Sequence, residues 1–481
     1  MNSHKQLNLY YAWAPIVILT LLAALSIFKW DAGMFIPLLG GIIATATVGM
    51  MAGFKWAELE KFIAQGVARA LPAIFILFLI GIIIGTWILG GVIPTIIYYG
   101  LGILSPKIFL PAVAFITGIV SMTLGSSLTS IATVGLALMA IGEGLGFPAA
   151  IVAGAVISGA FLGDKLSPLS DTTNIAPVMA DTDLFSHIRH MLWDTVPAFA
   201  ISLILYWVVG LNYSAGAATD GKVQEIMQGL DKLFLINPLL LILPLLTFYV
   251  VYKRLPAVPS LIFISALGAL IAFFVQGSSI TQIVNVMTDG YTVDTGVETI
   301  DSLLNRGGIT SMLPTIGLVV LATGLGGILD GTGAFKRIID AVAHKIRSTG
   351  SLILSTISST FLVGLASGEQ YLSIILPART FRDKFKERGL DTKNLSRCVE
   401  AAGTVGITLI PWSVPSIFAT QVLGVKATAF IPFIFFAFLV PVINIIYGYL
   451  DISIARKDYS EPRQNKEDYK FNLAVRKVSE N

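Results

Sequence analysis

Residues 163 to 174 have the sequence GDKLSPLSDTTN, which places two aspartates and a lysine beside a proline and several hydroxyl side chains. Apolar sequence surrounds this stretch, with FPAAIVAGAVISGAFL before it and IAPVMA after it. Charged side chains are costly inside a membrane, so each requires a partner or a function. Pro168 removes a backbone donor and disfavours helical geometry at Ser167. We therefore predict a membrane-spanning helix that is broken at this point.

The composition supports a membrane location for this segment. The chain has 481 residues, of which 55% are hydrophobic and 13% are charged, and its mean hydropathy is +0.80. This is more apolar sequence than one water-soluble core can bury, and it indicates a polytopic protein surrounded by the lipid bilayer. Cys398 is the single cysteine, which excludes an internal disulfide and a Cys-rich metal site. We expect no cofactor and no nucleic-acid partner.

The hydropathy pattern predicts an all-α polytopic membrane protein with about ten transmembrane helices. The candidate spans are residues 10–28, 33–53, 70–90, 149–179, 193–211, 235–252, 258–275, 310–329, 398–423 and 428–450. Two further apolar stretches, 107–141 and 351–378, are interrupted by small or polar residues, and each could span or turn back. If both turn back as re-entrant hairpins and the N-terminus is cytoplasmic, most Lys and Arg residues lie on the cytoplasmic side, as the positive-inside rule requires.

A weak internal repeat relates the two halves of the chain at a spacing of 242 to 243 residues. It pairs residues at several separate points: Pro72 with Pro314, Gly125 with Gly368, and Pro168 with Pro411. Each half then has five spans and one hairpin, and an odd number of spans forces the halves into opposite orientations. Such inverted repeats are typical of transporters that work by alternating access.

The predicted organisation follows from these spans and the repeat. It comprises a cytoplasmic N-terminus (1–9), a first repeat (10–211) with hairpin 107–141 and broken helix 149–179, an outer loop (212–234), a second repeat (235–453) with hairpin 351–378 and broken helix 398–423, and a cytoplasmic tail (454–481). Residues 276–308 are expected to form another outer loop. Residues 331–347 are expected to form an amphipathic helix on the cytoplasmic surface.

The first broken helix carries the chemistry that a cation carrier needs. Asp164 and Asp171 could face one cavity at different depths, and Lys165 could form an ion pair with either of them. The nearby hydroxyls belong to Ser170, Thr172 and Thr173, and they add hard oxygen ligands of the kind that Na+ accepts. A carboxylate that holds either a proton or Na+, but not both, would exchange one for the other as the protein alternates.

The hairpin tips supply further polar groups. Hydroxyl side chains surround Gly125 at the first tip, and an acid and an amide follow Gly368 at the second; these candidates are Ser126, Ser127, Thr129, Glu369 and Gln370. The second broken helix contributes Ser413 beside its prolines but no acid. The sequence leaves open whether Glu400, which precedes that helix, reaches the interior. His187 and His190 are expected on a solvated helix surface, with pH sensing as the alternative.

Three stretches of the chain resemble the NhaC family of Na+/H+ antiporters. They are RALPAIFILFLIGIIIGTWILGGVIPTIIYYGLGILSPKIFLP, GSSLTSIATVGLALMAIGEGLG and, above all, GAFLGDKLSPLSDTTNIAPVMADTDLFSHIRHML. The resemblance covers nearly the whole chain and implies a secondary carrier that uses Na+ and H+ gradients, with its acidic motif on Asp164 and Asp171. The same family implies a second possibility, since some members exchange organic acids or resemble amino-acid carriers.

These observations predict a Na+/H+ antiporter of the cytoplasmic membrane with Asp171 as the main shared site and Asp164 as the second acid or pair partner. The alternative is a Na+- or H+-coupled carrier of a carboxylate or amino acid. An enzyme is disfavoured because the sequence has no HExxH or GxSxG motif and no metal-spaced His or Cys cluster. A channel is disfavoured because two broken spans in an inverted repeat suit alternating access. A homodimer is suggested only by analogy with similar architectures.

Overall fold

The computed structural model describes residues 7–30, 32–103, 105–214, 220–253, 257–343 and 346–459, and this part of the chain is helical, with one isolated bridge between Leu390 and Arg456. The α-helices are α1 (Leu9–Leu25), α2 (Phe35–Met51), α3 (Trp56–Leu89), α4 (Val92–Ile103), α5 (Phe109–Leu124), α6 (Ser127–Ser130), α7 (Leu136–Gly144), α8 (Ala149–Leu166), α9 (Asp171–Ala180), α10 (Leu184–Ser214), α11 (Asp220–Leu233), α12 (Ile242–Tyr252), α13 (Ala257–Phe274), α14 (Ile280–Asp289), α15 (Glu298–Leu304), α16 (Ile309–Gly331), α17 (Ala334–Ala343), α18 (Thr349–Ser367), α19 (Gln370–Glu387), α20 (Lys393–Glu400), α21 (Val414–Leu423), α22 (Ala427–Phe430) and α23 (Phe435–Leu450). Short π-helical segments cover Ser26–Trp30, Ile131–Gly135 and Ala401–Val405, and 3-10 segments cover Pro106–Ile108, Pro238–Leu241, Gly406–Leu409 and Ile431–Phe433.

The apolar helices confirm a polytopic all-α membrane protein. Among the described residues, seven helices are long and apolar enough to cross a membrane, and the number rises to ten if each of three bent helix pairs is one span. Four shorter apolar helices accompany them. Helix α4 was not predicted, and helices α11, α14 and α15 lie in the two stretches that we expected to be loops. The predicted amphipathic helix near 331–347 is present as α17, while His344 lies outside the described residues.

Both predicted broken helices are interrupted at the expected prolines. Helix α8 ends at Leu166 and α9 begins at Asp171, while the second break lies between Leu409 and Val414. In each case a serine caps the new helix, because the Ser170 and Ser413 hydroxyls accept hydrogen bonds from backbone N–H groups three residues later. The two halves therefore end one helix and begin the next by the same local chemistry.

Each of the two interrupted stretches turns back on itself. Gly125 (φ +67°) and Gly368 (φ +65°) end α5 and α18 in the left-handed conformation, which glycine adopts without strain. The two ends of the first hairpin meet, since the rings of Phe109 and Phe147 stack 5.2 Å apart. The second hairpin closes in the same way, because the Arg388 side chain donates to the backbone carbonyls at residues 346 and 347. Both stretches therefore turn back, and their limbs Pro106–Leu124, Ser127–Gly144 and Thr349–Ser367 are each long and apolar enough to cross a membrane.

The connecting segments gather at two ends of the molecule. At one end, which we call the basic end, Lys386 pairs with Asp181 at 2.9 Å and the Asp391 N–H donates to the Ala455 carbonyl. This end also holds many of the described cations: Arg347, Lys384, Arg388, Lys393, Arg456 and Lys457. At the opposite end, Arg306 contacts Glu143 at 3.2 Å. This separation of charge matches the distribution that the topology prediction assumed.

The repeated elements run in opposite directions. Helices α3 and α16, which carry the matched Pro72 and Pro314, pack antiparallel along glycine-rich faces: Gly66 lies against Gly327, and the Gly308 N–H donates to the Gly81 carbonyl at 2.8 Å. The first hairpin has its ends at the opposite end of the molecule, and the second has its ends at the basic end. The broken helices α8–α9 and α20–α21 likewise run in opposite directions between the two ends. An inverted repeat accounts for all of these relations.

Candidate functional site

The most enclosed acid of the opening motif is Asp164, near the end of α8. Its side chain is buried and accepts two short hydrogen bonds, from the Ser127 hydroxyl at 2.6 Å and from the Ser170 hydroxyl at 2.6 Å. Ser127 comes from the first hairpin tip, and Ser170 comes from the break between α8 and α9. The carboxylate thus lies where the tip and the broken helix meet, and only neutral donors hold it.

The hairpin tip reaches this carboxylate because of two local features. Gly125 packs so closely on Leu169 that a Cβ at residue 125 would lie 2.5 Å from the Leu169 Cβ. Ser126 then caps α6, since its hydroxyl accepts hydrogen bonds from the Thr129 N–H and hydroxyl at 3.3 and 3.0 Å. Of the three predicted tip hydroxyls, only Ser127 contacts Asp164. Ser126 and Thr129 bond to each other and fix the shape of the tip.

The remaining hydroxyls of the motif form a chain around the break. The Thr173 hydroxyl donates to the backbone carbonyls of Asp164 and Lys165, at 2.7 and 3.1 Å. These carbonyls have no helical hydrogen-bond partner because α8 ends there. The hydroxyls of Ser170 and Thr172 lie 3.0 Å apart. The break therefore presents carboxylate, hydroxyl and carbonyl oxygens within one small region.

The predicted pairing of Lys165 with Asp164 or Asp171 is wrong. Lys165 is fully buried and forms an ion pair with Asp194 of α10, at 3.2 Å between Nζ and Oδ2. Asp194 is fully buried as well and accepts a 2.6 Å hydrogen bond from the Asn444 amide. Sequence reasoning missed Asp194 because it lies in a different helix, twenty-nine positions beyond Lys165. Because Asp194 neutralises the lysine, Asp164 is left without a cationic partner of its own.

Asp171 has a different environment from Asp164. It is the first residue of α9 and is exposed, and the Tyr371 hydroxyl donates to its carboxylate at 3.3 Å. Tyr371 follows the second hairpin tip, so this contact joins the first broken helix to the second hairpin. The two aspartates belong to one region, but only Asp164 is enclosed by protein.

The second tip and second break have no contact with Asp164 among the hydrogen bonds of the described residues. Glu369 is buried and interacts electrostatically with Arg69 and Asp330, which form an ion pair of 3.2 Å between α3 and α16. The Gln370 amide donates to the Thr404 carbonyl at 3.4 Å. Ser413 bonds to Ser416 and caps α21.

Glu400 reaches the interior, a point that the sequence left open. It is fully buried at the end of α20, directly before the π-helical segment Ala401–Val405, and neither carboxylate oxygen has a hydrogen-bond partner. Its carboxylate interacts electrostatically with Lys165 and Asp164 and faces the side chains of Thr172 and Thr404. The signal available from sequence was an acid one turn before the second broken helix.

The oxygens around Asp164 suit a hard monovalent cation. Carboxylate, hydroxyl and carbonyl groups are the ligands that such ions prefer, and thiolate or imidazole ligands are not involved. Within the described ranges, no group of three or more His, Cys, Asp or Glu residues could hold a metal ion. Any cation at this place is therefore bound mainly by hydroxyl and carbonyl oxygens with one or two carboxylates.

Comparison with known proteins places the chain in a family. Residues 159–452 match the family model described as the Na+/H+ antiporter family. The chain belongs to this family. Two relatives named Na+/H+ antiporter NhaC support the assignment: one from Alkalihalophilus pseudofirmus is 40% identical and covers 90% of this chain and 93% of its own, and one from Bacillus subtilis is 36% identical and covers 94% and 100%. The resemblance noted in the sequence is thus confirmed.

The name of one relative of this chain includes organic solutes as well as Na+ and H+. A Bacillus subtilis relative named malate-2H+/Na+-lactate antiporter is 38% identical over 84% of this chain and 86% of its own length. These relatives are transporters, which agrees with the expectation that the chain is not an enzyme. The family match begins within α8, after the first hairpin, and it includes both helix breaks and the second hairpin.

Proposed function

We propose that this protein exchanges Na+ for H+ across the cytoplasmic membrane by alternating access, with Asp164 as the shared ion and proton site. The observation that carries the proposal is the environment of Asp164: a buried carboxylate, held by two neutral hydroxyls, at the junction of a hairpin tip and a broken helix. A buried carboxylate without a cationic partner is costly unless it is neutralised. Na+ and H+ can each neutralise it, and they compete for the same oxygens.

The hydroxyls explain how one site can accept both ions. In the observed arrangement Ser127 and Ser170 donate to Asp164. A hydroxyl has two acceptor lone pairs besides its proton and can rotate, so the same serine oxygens can turn toward a bound Na+. The Asp164 carbonyl lies beside the same region. Proton binding then requires the cation to leave, which couples the two movements.

Burial supports Asp164 rather than Asp171 as the principal site, which differs from the role we expected from the sequence. Asp171 lies exposed at the start of α9, where water or an approaching ion can reach it. An exposed carboxylate loses little hydration on binding an ion and is a weak competitor. We assign Asp171 to the path by which the ion approaches Asp164.

A second candidate function is exchange of a small organic solute coupled to the same ions. It is favoured by the second hairpin tip, where buried Glu369 interacts with the Arg69–Asp330 pair and makes no hydrogen bond to Asp164. The relative named malate-2H+/Na+-lactate antiporter makes a carboxylate the first solute to test. Under this proposal, Asp164 would still bind the coupling ion.

The Lys and Arg residues of the basic end support a proposed orientation of the antiporter in the membrane. We place the basic end in the cytoplasm, with both termini there, because Lys and Arg residues remain on the cytoplasmic side. Helix α1 packs on α17, and Tyr459 donates to the Leu390 carbonyl at that end. We propose that Na+ and H+ are its only ionic partners, without a bound cofactor, and that the protein can form a homodimer in the bilayer.

The deciding experiment measures proton movement in liposomes that contain the purified protein and a trapped pH dye. Addition of Na+ or Li+ should collapse an imposed pH gradient, whereas K+ should not. Asp164→Asn should abolish the response, while Asp171→Asn should stay within about threefold of the wild-type rate because its site is exposed. A response that appears only after malate, lactate or an amino acid is added would favour the second candidate. A fully active Asp164→Asn protein would refute the assigned site.

A further inference from the structure

We propose that Glu400 is a second ligand of the transported cation, so that the ion is held between one acid from each inverted repeat. The inference rests on the proposed function and extends it. Asp164 comes from α8, in the broken helix of the first half, and Glu400 comes from α20, in the broken helix of the second half. A cation between them would contact both halves at once.

The Glu400 side chain has an unusual environment for a carboxylate. It is fully buried, and no hydrogen bond of ordinary geometry reaches either carboxylate oxygen, although the Thr404 and Thr172 hydroxyls face the carboxylate. The Thr404 hydroxyl, one turn later on the same element, is buried and also lacks a hydrogen-bond partner. Buried polar groups are nearly always satisfied in folded proteins, so three buried oxygens that face one region without close hydrogen bonds are suited to an ion that the protein binds there.

Oxygen-bearing side chains connect the two acids. From Asp164 the path leads to the Ser170 hydroxyl at 2.6 Å and from there to the Thr172 hydroxyl at 3.0 Å. Thr172 faces Glu400, which interacts electrostatically with Asp164. The five oxygen-bearing side chains of this region, Asp164, Ser170, Thr172, Glu400 and Thr404, form one cluster drawn from both repeats.

The charges around the two acids also favour a bound cation. The charge of buried Lys165 acts on Glu400, but the ion pair of Lys165 is with Asp194 at 3.2 Å. Arg397, which is fully buried one turn before Glu400, donates to the Ser453 carbonyl instead. Neither Asp164 nor Glu400 has an ion-pair partner among the residues that the structure describes. Two carboxylates in a low-dielectric interior repel each other, and a monovalent cation between them relieves that repulsion. Neither carboxylate is therefore neutralised by an ion pair of its own, which suits a bound cation.

The test compares Glu400→Gln with the wild-type protein in two assays. Glutamine keeps the size of the side chain and removes its charge. In detergent, Na+ should raise the melting temperature of the wild-type protein, because a ligand that binds only the folded state stabilises it. In Glu400→Gln this Na+-dependent shift should be lost. In liposomes, the Na+ concentration for half-maximal exchange should rise on the order of tenfold or more.

Two other variants make the result specific to Glu400. Glu387→Gln is the matched control, since the same change at an exposed surface pair should leave both assays unchanged. Thr404→Val removes a hydroxyl that has no hydrogen-bond partner, so the protein should fold normally. It should raise the half-maximal Na+ concentration severalfold, and it decides the question if Glu400→Gln does not fold.

The outcomes separate this inference from the proposed function. If the wild-type protein exchanges Na+ for H+ and both Glu400→Gln and Thr404→Val keep wild-type Na+ dependence, Glu400 is a neutral structural acid and the inference is overturned. If the wild-type protein does not exchange these ions, the proposed function fails. In that case the Na+-dependent melting shift still reports whether Glu400 contributes to a cation site.

Discussion

Lys165 and Asp194 form the most enclosed ion pair in the described part of the chain, with both side chains completely buried. Their pairing changes the interpretation of residues 163–174, because Lys165 does not neutralise Asp164 or Asp171. Asn444 of α23 donates to Asp194, so three helices meet at this pair. A buried ion pair costs much of its attraction in lost hydration, but leaving one partner alone costs far more. We regard Asp194 as a positioning residue that keeps the lysine charge away from Asp164.

Removal of one partner of this pair should be strongly destabilising. Asp194→Asn leaves Lys165 charged and unpaired in the interior, so we expect a loss of about 3–5 kcal/mol of stability. The check is thermal unfolding of the purified variant in detergent. Asp181→Asn is the control, because its partner Lys386 is partly exposed and the loss should stay below about 1 kcal/mol. Equal losses in the two variants would contradict the role assigned to Asp194.

At the scale of whole elements, the two hairpin tips occupy equivalent positions in the internal repeat but do not pack equally tightly on their helix breaks. Both glycines have a positive φ and both lie against the break of their own half, since Gly125 contacts Leu169 and Gly368 contacts Trp412. A Cβ added at Gly125 would lie 2.5 Å from the Leu169 Cβ, whereas a Cβ added at Gly368 would lie 3.1 Å from the Trp412 carbonyl oxygen. The first tip is therefore packed more tightly on its broken helix.

This difference predicts unequal effects of the same substitution. Gly368→Ala should cost roughly 1–2 kcal/mol for the left-handed backbone alone, with exchange reduced but measurable. Gly125→Ala adds a clash that moves Ser127 away from Asp164, so exchange should fall to background. Melting temperature and exchange rate in liposomes measure the two effects separately. An equal loss of exchange in both variants would show that the tighter contact at the first tip has no bearing on the ion site.

The elements were largely predictable from sequence, whereas the pairing of side chains between elements was not. Pro168 and the glycine of each tip determine local backbone geometry, so the broken helices and the hairpins could be located in advance. The partner of Lys165 and the burial of Glu400 depend on how distant helices pack, which periodicity does not report. His187 and His190 illustrate the same limit: we expected them on a solvated surface, but both are buried and bond to Ser396 and Asn394.

Contacts at the opposite end suggest how one face of the molecule is closed. Arg306 lies between two elements of different repeats, since its guanidinium contacts Glu143 at the end of α7 and the carbonyl of Leu423 at the end of α21. A cavity of about 350 Å³ lies beside it, lined in part by Gln421 and Tyr291. One arginine thus joins the first hairpin to the second broken helix at that end.

Loss of this contact should open the opposite end more often. Arg306→Gln removes a partly buried ion pair whose contribution is on the order of 1 kcal/mol, or about fivefold in the opening equilibrium. The check is the rate at which an impermeant maleimide labels a cysteine at Gln421→Cys, in a Cys398→Ser background. Labelling should be several times faster with Arg306→Gln than without it. An unchanged rate would mean that Arg306 does not hold this end closed.

At the scale of the whole molecule, the inverted repeat and the charge distribution make one joint prediction about orientation. The basic end gathers Lys and Arg from both halves, and such residues remain on the cytoplasmic side of a membrane. Asn285, on α14, is exposed near the opposite end, and Asp383, on α19, is exposed at the basic end. In a Cys398→Ser background, an impermeant thiol reagent should therefore label Asn285→Cys in intact cells.

Asp383→Cys should react with the same reagent only after the cells are permeabilised. The reversed pattern would place the basic end outside and overturn the proposed topology. Labelling of both positions in intact cells would mean that residues 285 and 383 lie on the same side, which an odd number of spans between α14 and α19 forbids. That result would break the inverted relation between the halves, on which the alternating-access mechanism depends.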